Sequence, residues 1–267
     1  MKKILIIGAN SGIGKETALL AAESGYEIYA TARAELAFKH QNVTSFKLDV
    51  CDENSIRAVA AKIDEIEAII NFAGVAISSP VEFLNCEQLQ KQLDINLFGL
   101  LKVIRGFYPK LASDGQGGRI INVSSMAAFG LFPFISPYCA SKAAGDILLN
   151  SFGIETGTRV ISIKPGVVKT PFWEASLRIN EENFENFAPK YEKERTFLIE
   201  NAKKNANQGL EPLAVAKVII KALKAKNPKP SYTVGFDAHM AQLASMYPKA
   251  LTNSLIRAGL KLRVGKK

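Results

Sequence analysis

The apolar run Ile4-Leu5-Ile6-Ile7 stops at Gly8, and Gly12 and Gly14 follow before a helical pattern begins. A run with large apolar side chains at every position needs cover on both faces, as strands of a parallel sheet have. Ala68-Ile69-Ile70 repeats the pattern. Short β-branched runs predict strands over Ile4–Ile7, Glu27–Thr31, Val43–Leu48, Ala68–Asn71, Arg119–Ser124, Arg159–Lys164 and Tyr232–Gly235. Between them, helical patterns cover Gly12–Ser24, Asn54–Ile63, Gln88–Leu111, Pro137–Phe152 and Pro212–Lys224. This alternation predicts an α/β fold: a doubly wound, seven-stranded, mostly parallel sheet with helices on both faces. Ligands of such sheets bind outside the carboxyl ends of the strands. Candidate chemistry should therefore follow each strand, and it does.

The length of 267 residues fits a single domain. A 48% hydrophobic fraction excludes a disordered or low-complexity chain. Cys51, Cys86 and Cys139 form neither a disulfide framework nor a zinc pattern, and with only His40 and His239 no metal site is expected. Met1-Lys2-Lys3 followed by apolar residues imitates a secretory signal, but the run is too short. No stretch approaches the roughly 18 apolar residues of a spanning helix. The expectation is a soluble, cytoplasmic protein in a reducing compartment. The net charge of +9 leaves nucleic acid, a membrane surface or an anionic cofactor as partners.

In Gly8-Ala9-Asn10-Ser11-Gly12-Ile13-Gly14, glycines let the backbone turn and approach a phosphate closely. The helix that follows presents free N–H groups and a positive dipole end to an anion. A nucleoside-triphosphate loop is excluded, because Ala9 replaces a glycine and Glu16 follows Lys15 where a hydroxyl would bind magnesium. A plain strand-to-helix turn is the alternative. Arg33 stands just after the second strand, where an Arg accommodates a ribose 2′-phosphate; a solvated Arg is the alternative. Tyr138 and Lys142 are four apart on a helix, so they share a face. An adjacent ammonium is expected to lower the phenol's pKa. Chance spacing also explains the pair. Asn122-Val123-Ser124-Ser125 ends a strand with two hydroxyls that enter the crevice or merely cap a turn. Pro165-Gly166 turns the chain over the crevice so that Thr170 meets a ligand, unless the turn is only a turn.

Together these elements resemble the short-chain dehydrogenase/reductase family across residues 1–235. Gly8, Gly12 and Gly14 match its glycine pattern, although Ile7 stands where the family has Thr. Asp49, followed by Val50, matches the acidic residue beside the adenine. Asn71-Phe72-Ala73-Gly74 matches the motif after the fourth strand, with Phe72 departing. Asn96 matches the structural Asn of the long helix. Ser125 precedes Tyr138 by thirteen residues, which selects it over Ser124, and Tyr138 with Lys142 matches the Tyr-x-x-x-Lys pair. Pro165, Gly166 and Thr170 match the nicotinamide motif.

The resemblance implies a single-domain Rossmann-type oxidoreductase that interconverts a carbonyl and an alcohol, preferring NADP(H), with NAD(H) as the alternative cofactor. Asn96, Ser125, Tyr138 and Lys142 are the implied catalytic residues. Gly8, Asn10, Ser11, Gly12, Ile13, Gly14, Arg33, Asp49, Val50, Asn71, Ala73, Gly74, Pro165, Gly166, Val168 and Thr170 are implied to hold the cofactor, together with Tyr138 and Lys142. Ser125 would bind the substrate oxygen, Tyr138 would transfer the proton, Lys142 would hold the nicotinamide ribose, and Asn96 would hold a water that reaches Lys142. A homodimer or homotetramer is also implied. A non-catalytic NADP(H)-binding regulator of the same fold and a nucleotide-sugar epimerase or dehydratase are the rival readings.

In the family the segment 171–210 covers the substrate. Phe172, Trp173, Leu177, Phe184, Phe187, Tyr191, Phe197 and Leu198 would form one apolar wall. Met126, Phe129, Phe132, Phe134 and Ile135 would form the other, favouring an apolar carbonyl or alcohol substrate. Core packing of the same aromatics is the alternative. After Asp237 there is no acidic residue and there are six basic ones: Lys249, Arg257, Lys261, Arg263, Lys266 and Lys267. Leu251, Leu255, Ala258 and Leu262 recur at helical spacing, so 238–267 is expected to be a basic amphipathic extension of the 1–237 domain. It either packs on the protein or a partner subunit, or lies on an anionic membrane. Most of the +9 lies in this extension, and no basic patch interleaved with stacking aromatics supports nucleic acid as a partner.

Overall fold

The computed structural model describes residues 1–112, 118–185, 187 and 189–264, with side chains described as far as Lys261. Its strands are β1 (Lys3–Ile7), β2 (Glu27–Ala32), β3 (Val43–Lys47), β4 (Ala68–Asn71), β5 (Arg119–Val123), β6 (Arg159–Pro165) and β7 (Ser231–Val234). They form one sheet in the order β3-β2-β1-β4-β5-β6-β7. Every neighbouring pair is parallel, so the sheet expected to be mostly parallel is wholly so. The strand order reverses between β1 and β4, whose ends Ile7 and Asn71 lie in register. That switch point is where ligands of doubly wound sheets sit.

The helices are α1 (Gly12–Glu23), α2 (Glu53–Ala60), α3 (Cys86–Leu93), α4 (Gly99–Phe107), α5 (Ser136–Thr156), α6 (Phe172–Ile179), α7 (Glu181–Glu185), α8 (Glu192–Asn207), α9 (Pro212–Lys224), α10 (Phe236–Ser245) and α11 (Lys249–Val264). Alternate residues of a strand point to opposite faces. Ile4, Ile6, Ile28, Ile121 and Ile163 therefore bury with Ala18 of α1 and Ile219 of α9. Leu5, Ile7, Ile69 and Ile120 bury on the other side with Ile56 of α2, Ile104 of α4 and Leu149 of α5.

The uninterrupted helix expected over Gln88–Leu111 is divided. A π turn over Asp94–Phe98 separates α3 from α4. Such bulges insert a residue into a helix and often occur at functional sites; this one buries Asn96. The segment 171–210 contains α6, α7 and α8. The extension forms two helices rather than one, because Pro248 cannot continue α10. Lys266 and Lys267, and the side chains of Leu262 and Arg263, lie outside the described residues. No helix among the described residues is long and apolar enough to cross a membrane.

Candidate active site

The loop between β1 and α1 turns because Gly8 and Gly12 adopt φ of 85° and 54°, a region that side chains disfavour. The Gly8 and Ala9 amides both donate to Thr31 O at 2.9 Å. A Cβ on Gly14 would stand 2.2 Å from Gly8 O, so its absence lets α1 close onto the strand end. A Cβ on Gly12 would meet Thr170 Cγ2 at 2.9 Å. Ser11 is the extended N-cap of α1, but its hydroxyl makes no capping bond, and the first turn holds no acidic residue. The helix start, with Ile13 in its first turn, thus offers N–H groups to an anion. Asn10 Oδ1 accepts from Ala37 N at 2.8 Å and braces the loop after β2.

Arg33 is exposed at the end of β2. Asp49 is also exposed; its carboxylate accepts from Cys51 N at 2.9 Å, and its own N–H donates to Ser55 Oγ at 3.1 Å. Val50 is buried, in a place where a Cβ on Gly99 would come within 2.8 Å of it. This glycine cradle, helix N-terminus and nearby cation fit a dinucleotide phosphate chain.

The carboxyl ends of β4 and β5 are joined by Asn71 Nδ2 donating to Asn122 Oδ1 at 3.0 Å. Ala73 N donates back to Asn71 Oδ1 at 3.3 Å. Gly74 follows, and a Cβ there would lie 3.3 Å from both Asn96 Oδ1 and Lys142 Nζ. Lys142 is buried, and its Nζ donates to Val123 O at 3.0 Å and lies 5.7 Å from the Tyr138 ring centroid. Ser125 hydrogen-bonds the Tyr138 side chain and also accepts from Ala127 N at 3.1 Å. Ser124 instead buries its hydroxyl without a hydrogen-bond partner. Ser125, Tyr138, Lys142 and Asn96 thus converge beyond β4 and β5.

The electrostatics depart from the expected depression of the phenol by the ammonium. Burial dominates and pushes Tyr138 up to about 12, with the Ser125 hydrogen bond opposing it. Burial likewise pulls Lys142 down to about 8, and Asp146 opposes that fall. Asp146 lies one further turn along α5, so Tyr138, Lys142 and Asp146 share a face. Its carboxylate accepts from Ser162 Oγ at 2.8 Å and pairs with Lys164 at 3.0 Å.

Sequence reasoning overlooked Asp146, although the four-residue spacing from Lys142 marks it. It also overlooked Asp237, which accepts from Val167 N at 2.7 Å and pins the turn after β6. A Cβ on Gly166 would run into the Asp237 carboxylate and push it off Val167 N. Beyond Pro165 and Gly166, Val168 is buried, its carbonyl accepts from Trp173 Nε1 at 2.8 Å, and Thr170 faces the glycine loop.

No local signal announces the amide groups around 75–79. Asn96 Oδ1 accepts from Val75 N at 2.9 Å, and its Nδ2 donates to Val75 O and Ser141 Oγ, both at 3.0 Å. Gln92 Oε1 accepts from Ile77 N at 2.7 Å and its Nε2 donates to Val75 O at 2.8 Å. Asn180, at the end of α6, accepts from Ser78 N through Oδ1 and donates to Ala76 O through Nδ2, each at 2.7 Å.

The expected apolar walls divide. Phe172 lies 6.0 Å from the Tyr138 ring, and Tyr191 packs edge-on against Phe83 and Phe134. Phe184 and Phe187 instead bury against each other, 5.6 Å apart. Phe134 adopts φ 68°, rare for a bulky side chain, and its carbonyl accepts from Ser79 N at 2.8 Å.

The short chain dehydrogenase family model matches residues 2–180. A 3-amino-tetrahydro-pyrrolizinone reductase of Xenorhabdus hominickii is 30% identical over 256 residues, spanning 89% of this chain and 88% of the relative. The uncharacterized oxidoreductase YusZ of Bacillus subtilis is 32% identical over 287 residues, spanning 97% of this chain and 99% of its own. A short chain dehydrogenase from Burkholderia cenocepacia, solved in complex with NADP, superposes with a TM-score of 0.71 at 24% identity, covering 99% of each chain. With a family model spanning the glycine loop, the Ser125–Tyr138–Lys142 cluster and the turn after β6, the chain belongs to the short-chain dehydrogenase/reductase family and is an NAD(P)-dependent oxidoreductase.

Proposed function

We propose that this enzyme is an NADPH-dependent carbonyl reductase, reversible as an alcohol dehydrogenase, whose substrate is apolar around the reacting carbon. The observation that carries this is the convergence of Ser125, Tyr138 and Lys142 beside the glycine loop. The cofactor, when bound, supplies or accepts the hydride; the protein positions the partners and manages the proton. Gly8, Asn10, Ser11, Gly12, Ile13 and Gly14 would cradle the pyrophosphate, Arg33 the 2′-phosphate, and Asp49 and Val50 the adenine. Asn71, Ala73 and Gly74 would flank the ribose, with Pro165, Gly166, Val168 and Thr170 against the carboxamide.

Ser125 Oγ donates to the substrate oxygen and stabilises the charge that develops there. Tyr138, held protonated across neutral pH by burial, donates its proton to the same oxygen. Lys142 orients the ribose and keeps a positive charge beside the phenol as that proton leaves. Asn96 holds Lys142's surroundings in place and a water that resupplies the proton. Residues 171–210 form the lid and Phe172 an apolar wall beside Tyr138. Arg33 supports NADP(H) over NAD(H), and the related Burkholderia structure binds NADP.

The testing variant is Tyr138→Phe. Turnover with a panel of apolar ketones, aldehydes and quinones should fall by 10²–10⁴ or more, while NADPH binding followed by fluorescence stays at the parent level. Parent-level turnover in this variant overturns the assignment. NADPH binding by the parent with no turnover on any substrate favours a regulatory dinucleotide-binding protein.

A further inference from the structure

Two stripes of large apolar side chains lie exposed at the end of the chain. Phe236, Met240, Leu243 and Tyr247 recur at the spacing of one helical face along α10 and its exit, and Phe236 is 81% exposed. Leu251, Leu255 and Ala258 do the same on α11, again facing outward. Met246, in the chain between the two helices, is 79% exposed. The opposite side of α11, carrying Thr252, Asn253, Ile256, Gly259 and Leu260, is the half-buried one, and α11 packs on α8. A helix already docked by one face normally turns only polar residues outward; this one turns Leu251 and Leu255 outward as well.

Lys249, Arg257 and Lys261 are exposed on the same helix, and no acidic residue follows Asp237. A second copy of the chain is a poor occupant. A two-fold interface sets the same patch against itself, so the cations of α11 would face a copy of a segment that offers no carboxylate to pair them. Exposed leucines on a helix that carries three exposed cations and no carboxylate match an anionic lipid surface, where acyl chains take the former and headgroups pair with the latter.

We propose that α10 and α11 form a membrane-surface contact that seats the enzyme on bilayers containing anionic lipid, with the apolar stripes in the interface and the basic side chains among the headgroups. The face adjoins the proposed substrate walls. α10 packs on the turn Met126–Phe129, which follows Ser125, and α11 packs on α8 of the 171–210 segment. The enzyme body therefore sits at the interface, where apolar carbonyl compounds concentrate.

Flotation of the full-length protein with vesicles tests this, using phosphatidylcholine alone and phosphatidylcholine mixed with phosphatidylglycerol. The parent should float with the mixed vesicles, remain below with phosphatidylcholine, and lose binding as salt is raised. Triple reversal (Lys249→Glu, Arg257→Glu, Lys261→Glu) should lower the partition on the order of a hundredfold. Leu251→Glu with Leu255→Glu should abolish flotation while leaving the light-scattering mass and NADPH binding at parent values. A parent that stays below with the mixed vesicles overturns the proposal. A doubly substituted variant whose mass falls to that of a smaller oligomer also overturns it, since the face is then a subunit contact.

Discussion

Asn96 and Asn180, carried by the π turn and by the end of α6, hold peptide groups of one stretch, Val75–Ser78, that is buried from Ala76 onward. That stretch leaves the sheet after β4 and pairs with no strand among the described residues. Its backbone groups are satisfied by side-chain amides, as buried polar groups must be. The proposed catalytic Asn and the segment that would cover the substrate are therefore tied to the same strap.

Asn180→Ala leaves Ser78 N and Ala76 O buried without partners. Each such loss costs about 1–3 kcal/mol, so thermal unfolding should begin several degrees lower. Under the proposed function, KM for the carbonyl substrate should rise more than kcat falls, and the Kd of NADPH should be unchanged. Equal losses in KM and NADPH affinity would show that the strap serves the whole fold and not the substrate side.

Asp146 opposes the fall of the Lys142 pKa to about 8. Removing that carboxylate in Asp146→Asn should lower the Lys142 pKa further, so that the ammonium is lost at lower pH. The alkaline limb of the kcat/KM profile should then move to lower pH, and Asp146→Glu should restore much of it. An unmoved limb would mean that Lys142 ionisation does not set it.

Burial of Lys142 also marks stability. Its pKa lies near 8 in the folded chain against an ordinary value near 10.5, so between these values the unfolded chain binds more protons. Stability should therefore rise with pH across that window, with the full burial cost, on the order of 3 kcal/mol, present below it. Tyr138, raised to about 12, acts in the opposite sense, but only above pH 10. Urea unfolding of Lys142→Met between pH 7 and 10 should lack the rise seen in the parent, and a retained rise would contradict this account.

Arg33 is an exposed cation at the end of β2. Under the proposed function, Arg33→Asp should raise KM for NADPH far more than for NADH, because it would set an anion where the cation is proposed to meet the 2′-phosphate. Equal KM values before and after the change would make Arg33 a surface charge only.

The parts legible in the sequence are those set by neighbours along the chain. Gly8 and Gly12 announce a left-handed turn, Tyr138 and Lys142 share a helix face, and Ile4–Ile7 needs cover on both sides. The sheet and the glycine cradle follow from such local facts. The π turn at Asn96 does not, because it depends on Val75 and Ser141, distant in the chain. Asn180 was hidden for the same reason: its partners lie after β4 and no spacing links them. The direction of the Tyr138 shift is not legible in the sequence, because the spacing to Lys142 is readable there and the burial that raises the phenol is not.

Asp237 shows how a distant residue finishes a local motif. Pro165-Gly166 alone predicts a turn, but the direction of that turn is held by the Asp237 carboxylate on Val167 N and by the Gly166 amide donating to Val234 O at 2.9 Å. Asp237→Ala removes a hydrogen bond to a charged group, worth about 1.5–3 kcal/mol, and frees Val167–Thr170 to drift from the glycine loop. NADPH affinity measured by fluorescence titration should fall by roughly tenfold, with a lower melting temperature. Asp237→Asn keeps one acceptor and should fall between parent and Ala. If Asp237→Ala binds NADPH as tightly as the parent does, the turn is set by Pro165 and the Val168–Leu210 pairing alone.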